Sequence, residues 1–108
     1  MKWVTAIVKP FQVDEVVEAL LAAGVEEVLV EEVRGYGRQK GHLELYQGAE
    51  YDITFLPKVK LEWAVEDHRL KEAVRAVVEA ARTGRIGDGK VLVRDVRTSR
   101  GVGEGEGP

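Results

Sequence analysis

The start of the chain alternates. Trp3, Thr5, Ile7 and Lys9 fall on one side of an extended backbone and Val4, Ala6 and Val8 on the other. Both sides are largely apolar, which predicts an inner strand over 3–9, ended by Pro10. The period then changes: Val13, Val16, Val17, Leu20 and Leu21 recur at helical spacing. Asp14 and Glu15 sit in the first turn, where the helix dipole favours negative charge, and Gly24 is placed to end the helix in a left-handed conformation. Val25 to Arg34, rich in valine and glutamate, reads as a second strand. Residues 35–57 show no clean period. Beyond them Val59, Leu61, Trp63 and Val65 alternate with Lys60, Glu62 and Ala64, a third strand. Asp67 is positioned to cap a second helix with the stripe Leu70, Ala73, Val74, Val77 and Ala81, and Thr83 and Gly84 close it. Lys90 to Val96 makes a fourth strand. From Arg97 the chain is glycine- and glutamate-rich, with no core-forming residue after Val102, so 97–108 is expected to be a flexible tail.

The resulting order is a βαβ unit, a long insertion and a second βαβ-like unit. It predicts an α+β fold of the ferredoxin-like βαββαβ type: an antiparallel sheet with both helices on one face, in one domain over 1–96. Two helices cannot hide Trp3, Ile7, Leu61 and Trp63 together if the faces alternate, so the open face is expected to be buried against other subunits.

Composition narrows the function classes. The chain has 108 residues, 44% of them hydrophobic, enough for one modest core that leaves much surface uncovered. Sixteen basic against nineteen acidic side chains give a net charge of -3, which supplies no field for gripping a phosphate backbone and argues against nucleic-acid binding. With no cysteine, thiol chemistry and thiolate metal sites are excluded. No stretch approaches the roughly 20 apolar residues that span a bilayer, and the first ten residues lack a signal-peptide pattern. A soluble cytoplasmic protein with no direct membrane insertion is expected.

Two glycine-rich segments can carry chemistry. In GYGRQKGHLELYQGAEYDITFLP, Gly35, Gly37 and Gly41 surround Arg38 and Lys40, so backbone could approach anionic oxygens closely; a solvated hairpin with turn glycines accounts for the same residues. Tyr46 and Tyr51 lie here beside Glu44, Glu50 and Asp52, as modifiable hydroxyls or as aromatics pinning the loop. The second segment is TGRIGDGK, Thr83 to Lys90. It carries the GxxxxGK part of a P-loop, but Val91 stands where Ser or Thr should ligate magnesium, and the segment joins helix to strand, the reverse of a P-loop's order. A nest of glycine N–H groups beside a lysine can still hold phosphate; a helix cap followed by a turn explains Gly84 and Gly87. His42 and His68 are the only histidines, and no serine has histidine and carboxylate partners by spacing, so no catalytic set emerges. Glu66, Asp67, Arg69 and Lys71 read as a solvated helix face.

These same residues resemble the PII signal-transduction family. Gly35 to Glu62 is similar to its T-loop (about 36–57) and following strand, Ala80 to Lys90 to its B-loop (about 83–90), and Met1 to Leu20 to its first strand and helix. The resemblance runs without gaps over about 96 residues. It implies a homotrimer sensing ATP, ADP and 2-oxoglutarate in clefts between subunits, and no enzymatic activity. Carried over, Gly37, Arg38 and Gln39 would meet the nucleotide from one side. Glu62 and Ala64 would lie near the base, and Gly87, Asp88, Gly89 and Lys90 would hold the phosphates. Gln39 would ligate a magnesium ion shared by ATP and 2-oxoglutarate, while Lys58 and the backbone of Gln39, Lys40 and Gly41 would bind the organic acid. Tyr51 matches the tyrosine uridylylated in some members. Partners implied are an ammonium transporter, which would recruit the protein to a membrane, a nitrogen-assimilation enzyme or a sensor kinase. Two departures stand out: read without gaps, Gly101 and Gly103 stand where the family has phosphate-reaching arginines, a place Arg97 and Arg100 would take if the segment carries a deletion, and Leu29 stands where many members have a threonine at the adenine. A divergent paralogue with altered nucleotide binding is the alternative. Two other users of this fold were weighed. Acylphosphatases need an arginine after the first strand, where Pro10-Phe11-Gln12 offers none, and RNA-binding sheets need a basic stripe.

Overall fold

The computed structural model describes residues 1–38, 53–85 and 87–103. Its elements are β1 (Lys2–Val8), α1 (Val13–Ala22), β2 (Leu29–Arg38), β3 (Ile53–Val65), α2 (Leu70–Ala81) and β4 (Gly89–Asp95), with single 3-10 turns before each helix at Pro10–Gln12 and Asp67–Arg69. The strands form one sheet in the order β2-β3-β1-β4, with every pairing antiparallel. This is the ferredoxin-like α+β arrangement, with β1 as the inner strand its two apolar faces predicted.

The sheet is two-sided because side chains alternate. Val4, Ala6 and Val8 of β1 and Val59, Leu61, Trp63 and Val65 of β3 point one way and are buried. They meet Val16 and Leu20 of α1 and Ala73, Val77 and Ala81 of α2 in a single core. The helical stripes thus face the sheet as spaced, except that Leu21 lies at the rim, half-exposed. The four large side chains are divided between the faces, as alternation requires: Leu61 and Trp63 lie beneath the helices, and Trp3 and Ile7 on the opposite face. The Trp3↔Ala64 and Val4↔Trp63 pairing sets that division. The open face also carries Leu92 and Leu29, each about half exposed.

Three boundaries move. β2 begins at Leu29 rather than Val25, because Val25 buries its side chain just after Gly24 (φ +92°) has ended α1. β2 then runs on to Arg38, and β3 starts at Ile53, so both ends of the segment without periodicity are a paired ribbon, Val33↔Lys58 through Arg38↔Ile53. Pro57 is tolerated inside β3 because β1 pairs only with residues 59–65, leaving Pro57 bonded on one side at most. Asp67 does not cap α2 through its side chain. Its carboxylate instead takes the Met1 amino group at 2.7 Å, while Arg69 donates to Gly24 O at 3.2 Å, so this face is stapled rather than merely solvated. Among the described residues no helix is long and apolar enough to cross a membrane.

Candidate functional site

The turn between α2 and β4 is organised by one carboxylate. Asp88 accepts from the backbone N–H groups of Thr83 (2.8 Å) and Gly84 (2.9 Å), from the Thr83 hydroxyl, and from Lys9 Nζ at 3.3 Å. These donors, the Thr83 hydroxyl first, hold its carboxyl well below the ordinary carboxylate range. The turn folds this way because Gly84, Gly87 and Gly89 all adopt positive φ, and at Gly89 there is no alternative: a Cβ there would lie 1.8 Å from Ile7 O. Glycine lets β4 begin in contact with β1.

Basic side chains converge on this turn. Lys58, on the open face of β3, donates to Gly87 O at 2.6 Å. Burial, and after it the neighbouring Lys9, push the Lys58 ammonium below its usual range, a charge that an anion would stabilise. Lys90 pairs with Ile7 and so stands on the same sheet face. Three lysines, one in β3, one in β4 and one just past the end of β1, therefore border one glycine turn.

The other end of that face is different. Glu62 Oε2 accepts from Thr5 Oγ1 (2.6 Å) and Trp3 Nε1 (2.9 Å), with Arg94 at 3.4 Å. Its remaining oxygen has Lys60 at 3.8 Å. The hydrogen bonds from Thr5 and then Trp3 lower its pKa and keep it an anion. Glu62, Ala64, Leu29 and Trp3 line a pocket of about 580 Å³ that runs between Gly24–Glu27 and Glu66–Arg69. The pocket has the volume of a small-molecule site, and its rim carries Glu26, Glu27, Glu62 and Glu66 against Arg69 and His68, a net acidic lining. It shares no lining residue with the lysine-bordered turn, so the pocket and the turn are separate within one chain.

Of the predicted residues, Lys58, Gly87, Asp88, Gly89 and Lys90 come together at the turn, and Glu62 and Ala64 at the pocket. Gly37 and Arg38 are the last residues of β2, paired with Thr54 and Ile53. Gln39, Lys40, Gly41, His42, Tyr46 and Tyr51 lie outside the described residues. Sequence reasoning placed Thr83 in the glycine-rich segment but missed Lys9, Trp3, Thr5 and Arg94. Lys9 and Lys58 follow directly on the pair Val8↔Val59, and Trp3 and Arg94 meet only through the β1–β4 register. Strand pairing, which one sequence does not display, was the missing signal.

The profile of the family Nitrogen regulatory protein P-II matches residues 1–106. The chain is 53% identical to a nitrogen regulatory protein P-II of Cereibacter sphaeroides and 51% identical to that of Rhodospirillum rubrum. It is 50% identical to the nitrogen regulatory protein GlnK of Escherichia coli K12. Each alignment covers 98% of this chain and 95% of the relative. The matched span includes both glycine-rich segments and the strands beside them, and this chain belongs to the P-II family of nitrogen regulatory signalling proteins.

Proposed function

We propose that this protein reports nitrogen status by binding ATP or ADP together with 2-oxoglutarate, and passes the signal to partners through the segment between β2 and β3. The carrying observation is the convergence of Lys58 and Lys9 on the glycine turn of Gly87–Gly89, with Lys90 on the same face. That arrangement suits a polyphosphate: ammonium groups for charge, backbone for close approach. Asp88, an anion itself, serves by shaping the turn rather than by touching phosphate. The acidic pocket of Glu62, Ala64 and Leu29 suits a neutral base and repels phosphate. Because the halves are separate within one chain, a homotrimer that sets one protomer's turn against its neighbour's pocket completes the site, and the half-exposed Leu29 and Leu92 favour such burial.

In this reading Gly37, Arg38 and Gln39 flank the nucleotide, and Gln39 holds the magnesium that ATP brings. Lys58, Lys40 and Gly41 receive the 2-oxoglutarate carboxylates. Bound ligand selects among conformations of the segment. It then engages an ammonium transporter at the membrane, a nitrogen-assimilation enzyme or a sensor kinase in the cytoplasm, with Tyr51 open to uridylylation. The protein works as a switch and not as a catalyst.

Calorimetric titration with ATP and ADP, with and without magnesium and 2-oxoglutarate, tests this. ATP should bind, and 2-oxoglutarate should bind only with ATP and magnesium. Failure of 2-oxoglutarate to bind under any of these conditions refutes the sensor reading. A second reading, a divergent regulator with altered nucleotide preference, is favoured by Gly101 and Gly103, which bring no cation, and by the apolar Leu29 at the pocket. Equal affinity for ATP, ADP and AMP would support it.

A further inference from the structure

The resemblance assigns no role to Trp3, yet its side chain is tied down on the open sheet face. Its indole N–H is bonded to Glu62 Oε2 at 2.9 Å, and that carboxylate is itself held by Thr5 and Arg94. The ring is therefore fixed before any ligand arrives, so it pays little rotamer entropy on contact. Trp3 lines the pocket together with Glu62, Ala64 and Leu29. The pocket's other indole, Trp63, is only 1% exposed and offers almost no surface, whereas Trp3 is half-buried. Glu26, Glu27 and Glu66 also line the pocket, and with Glu62 these four carboxylates outnumber its one arginine, Arg69. A phosphate is repelled there; a flat, uncharged heteroaromatic ring is not.

We propose that Trp3 is a base-contacting residue of the nucleotide site, its indole ring forming the aromatic wall against which the nucleobase lies. The proposal rests on the nucleotide reading above and adds the residue that grips the base. A stacked ring reads the flat face of a base and not its edge, so Trp3 compensates for Leu29, which has no polar group to offer a base edge. The ring adds affinity for the base, and hydrogen bonds elsewhere must choose between adenine and guanine.

The test measures binding of ATP, GTP and inorganic triphosphate to the full-length protein and to Trp3→Ala and Trp3→Phe. Trp3→Ala should weaken ATP by about tenfold or more, the scale of one lost stacked base. GTP should weaken by a similar factor, and triphosphate, which has no base, should keep its wild-type affinity. Trp3→Phe keeps a ring and should hold ATP to within about threefold of wild type. In addition, the ATP-dependent change in tryptophan emission should vanish in Trp3→Phe, because only the buried Trp63 is left. Unchanged ATP affinity in Trp3→Ala overturns the proposal. So does an equal loss of ATP and triphosphate, which would mean damage to the fold or the assembly. If the wild-type protein binds triphosphate and ATP equally, no base is read and the proposal fails; if it binds neither, the nucleotide reading itself has failed.

Discussion

Replacing Gly89 by alanine places a methyl group in the one spot where β4 and β1 leave no room. The new Cβ would sit 1.8 Å from Ile7 O and 2.9 Å from Ile7 C, and both atoms belong to the backbone of the central strand. β1 cannot yield, because Ala6 and Val8 on either side of Ile7 are fully buried and the strand is paired on both edges. The edge strand β4 must move instead, with the loss of one or two ladder hydrogen bonds at about 1 kcal/mol each. The backbone adds a further cost: φ is +123° at Gly89, a region that costs an L-residue about 1–3 kcal/mol. Together these give a destabilisation of roughly 2–5 kcal/mol, a large part of the ~5–15 kcal/mol that a domain possesses. Gly84→Ala is the matched control. Its φ is +81° but nothing lies within 4 Å of the added methyl, so it should cost only the left-handed conformation, about 1–2 kcal/mol. Urea unfolding followed by tryptophan fluorescence, at one protein concentration because assembly would couple to stability, yields both values. If Gly89→Ala unfolds at the same midpoint as Gly84→Ala, the close approach of β4 to β1 is not what requires glycine.

Further outcomes can be stated. The Asp88 carboxyl has a native pKa below its unfolded value, so its stabilising contribution is complete above about pH 4 and is lost as pH falls further. Stability should therefore decline less steeply below about pH 4 in Asp88→Asn than in wild type; identical acid limbs in pH-resolved urea titrations would refute the role given to that carboxylate. Lys58→Met should abolish 2-oxoglutarate uptake while leaving ATP binding measurable by calorimetry, and retention of both ligands would remove Lys58 from the acid site. Leu20→Ala, at a fully buried position, should cost about 3 kcal/mol in chemical denaturation. Trp63→Phe should cost less than about 1.5 kcal/mol. Trp63 Nε1 is buried without a hydrogen-bond partner among the described residues, so its removal offsets part of the lost packing; a cost like that of Leu20→Ala would show that the indole N–H is satisfied in solution.

The fold was legible because each element declared its period. Val59–Val65 alternates so strictly that the core face of β3 could be read residue by residue, and α2 carries its stripe with no competing pattern. What failed was local, and in each case a contact across the fold outweighed a signal along the chain. Asp67 has the composition of a cap, but the Met1 amino group is the stronger partner. Val25 has the propensity of a strand, yet it serves as a core plug in a loop. The glycine-rich segments could be recognised as candidate anion sites, since glycine and lysine are chosen for chemistry and not for packing. Lys9, Trp3 and Arg94 could not, because each acquires its partner only through strand register. A one-residue shift of β1 against β3 would turn Trp3 away from Glu62 altogether.

Lys58 has one more consequence. It is the first rung of the ribbon beyond the part of β3 that β1 supports, and its ammonium is tied to the Gly87 carbonyl. The paired ribbon of β2 and β3 is thus moored to the glycine turn at its root. In the proposed reading, a ligand that draws Lys58 off its mooring frees the root of this ribbon while the core stays intact, because Lys58 lies outside the pairing with β1.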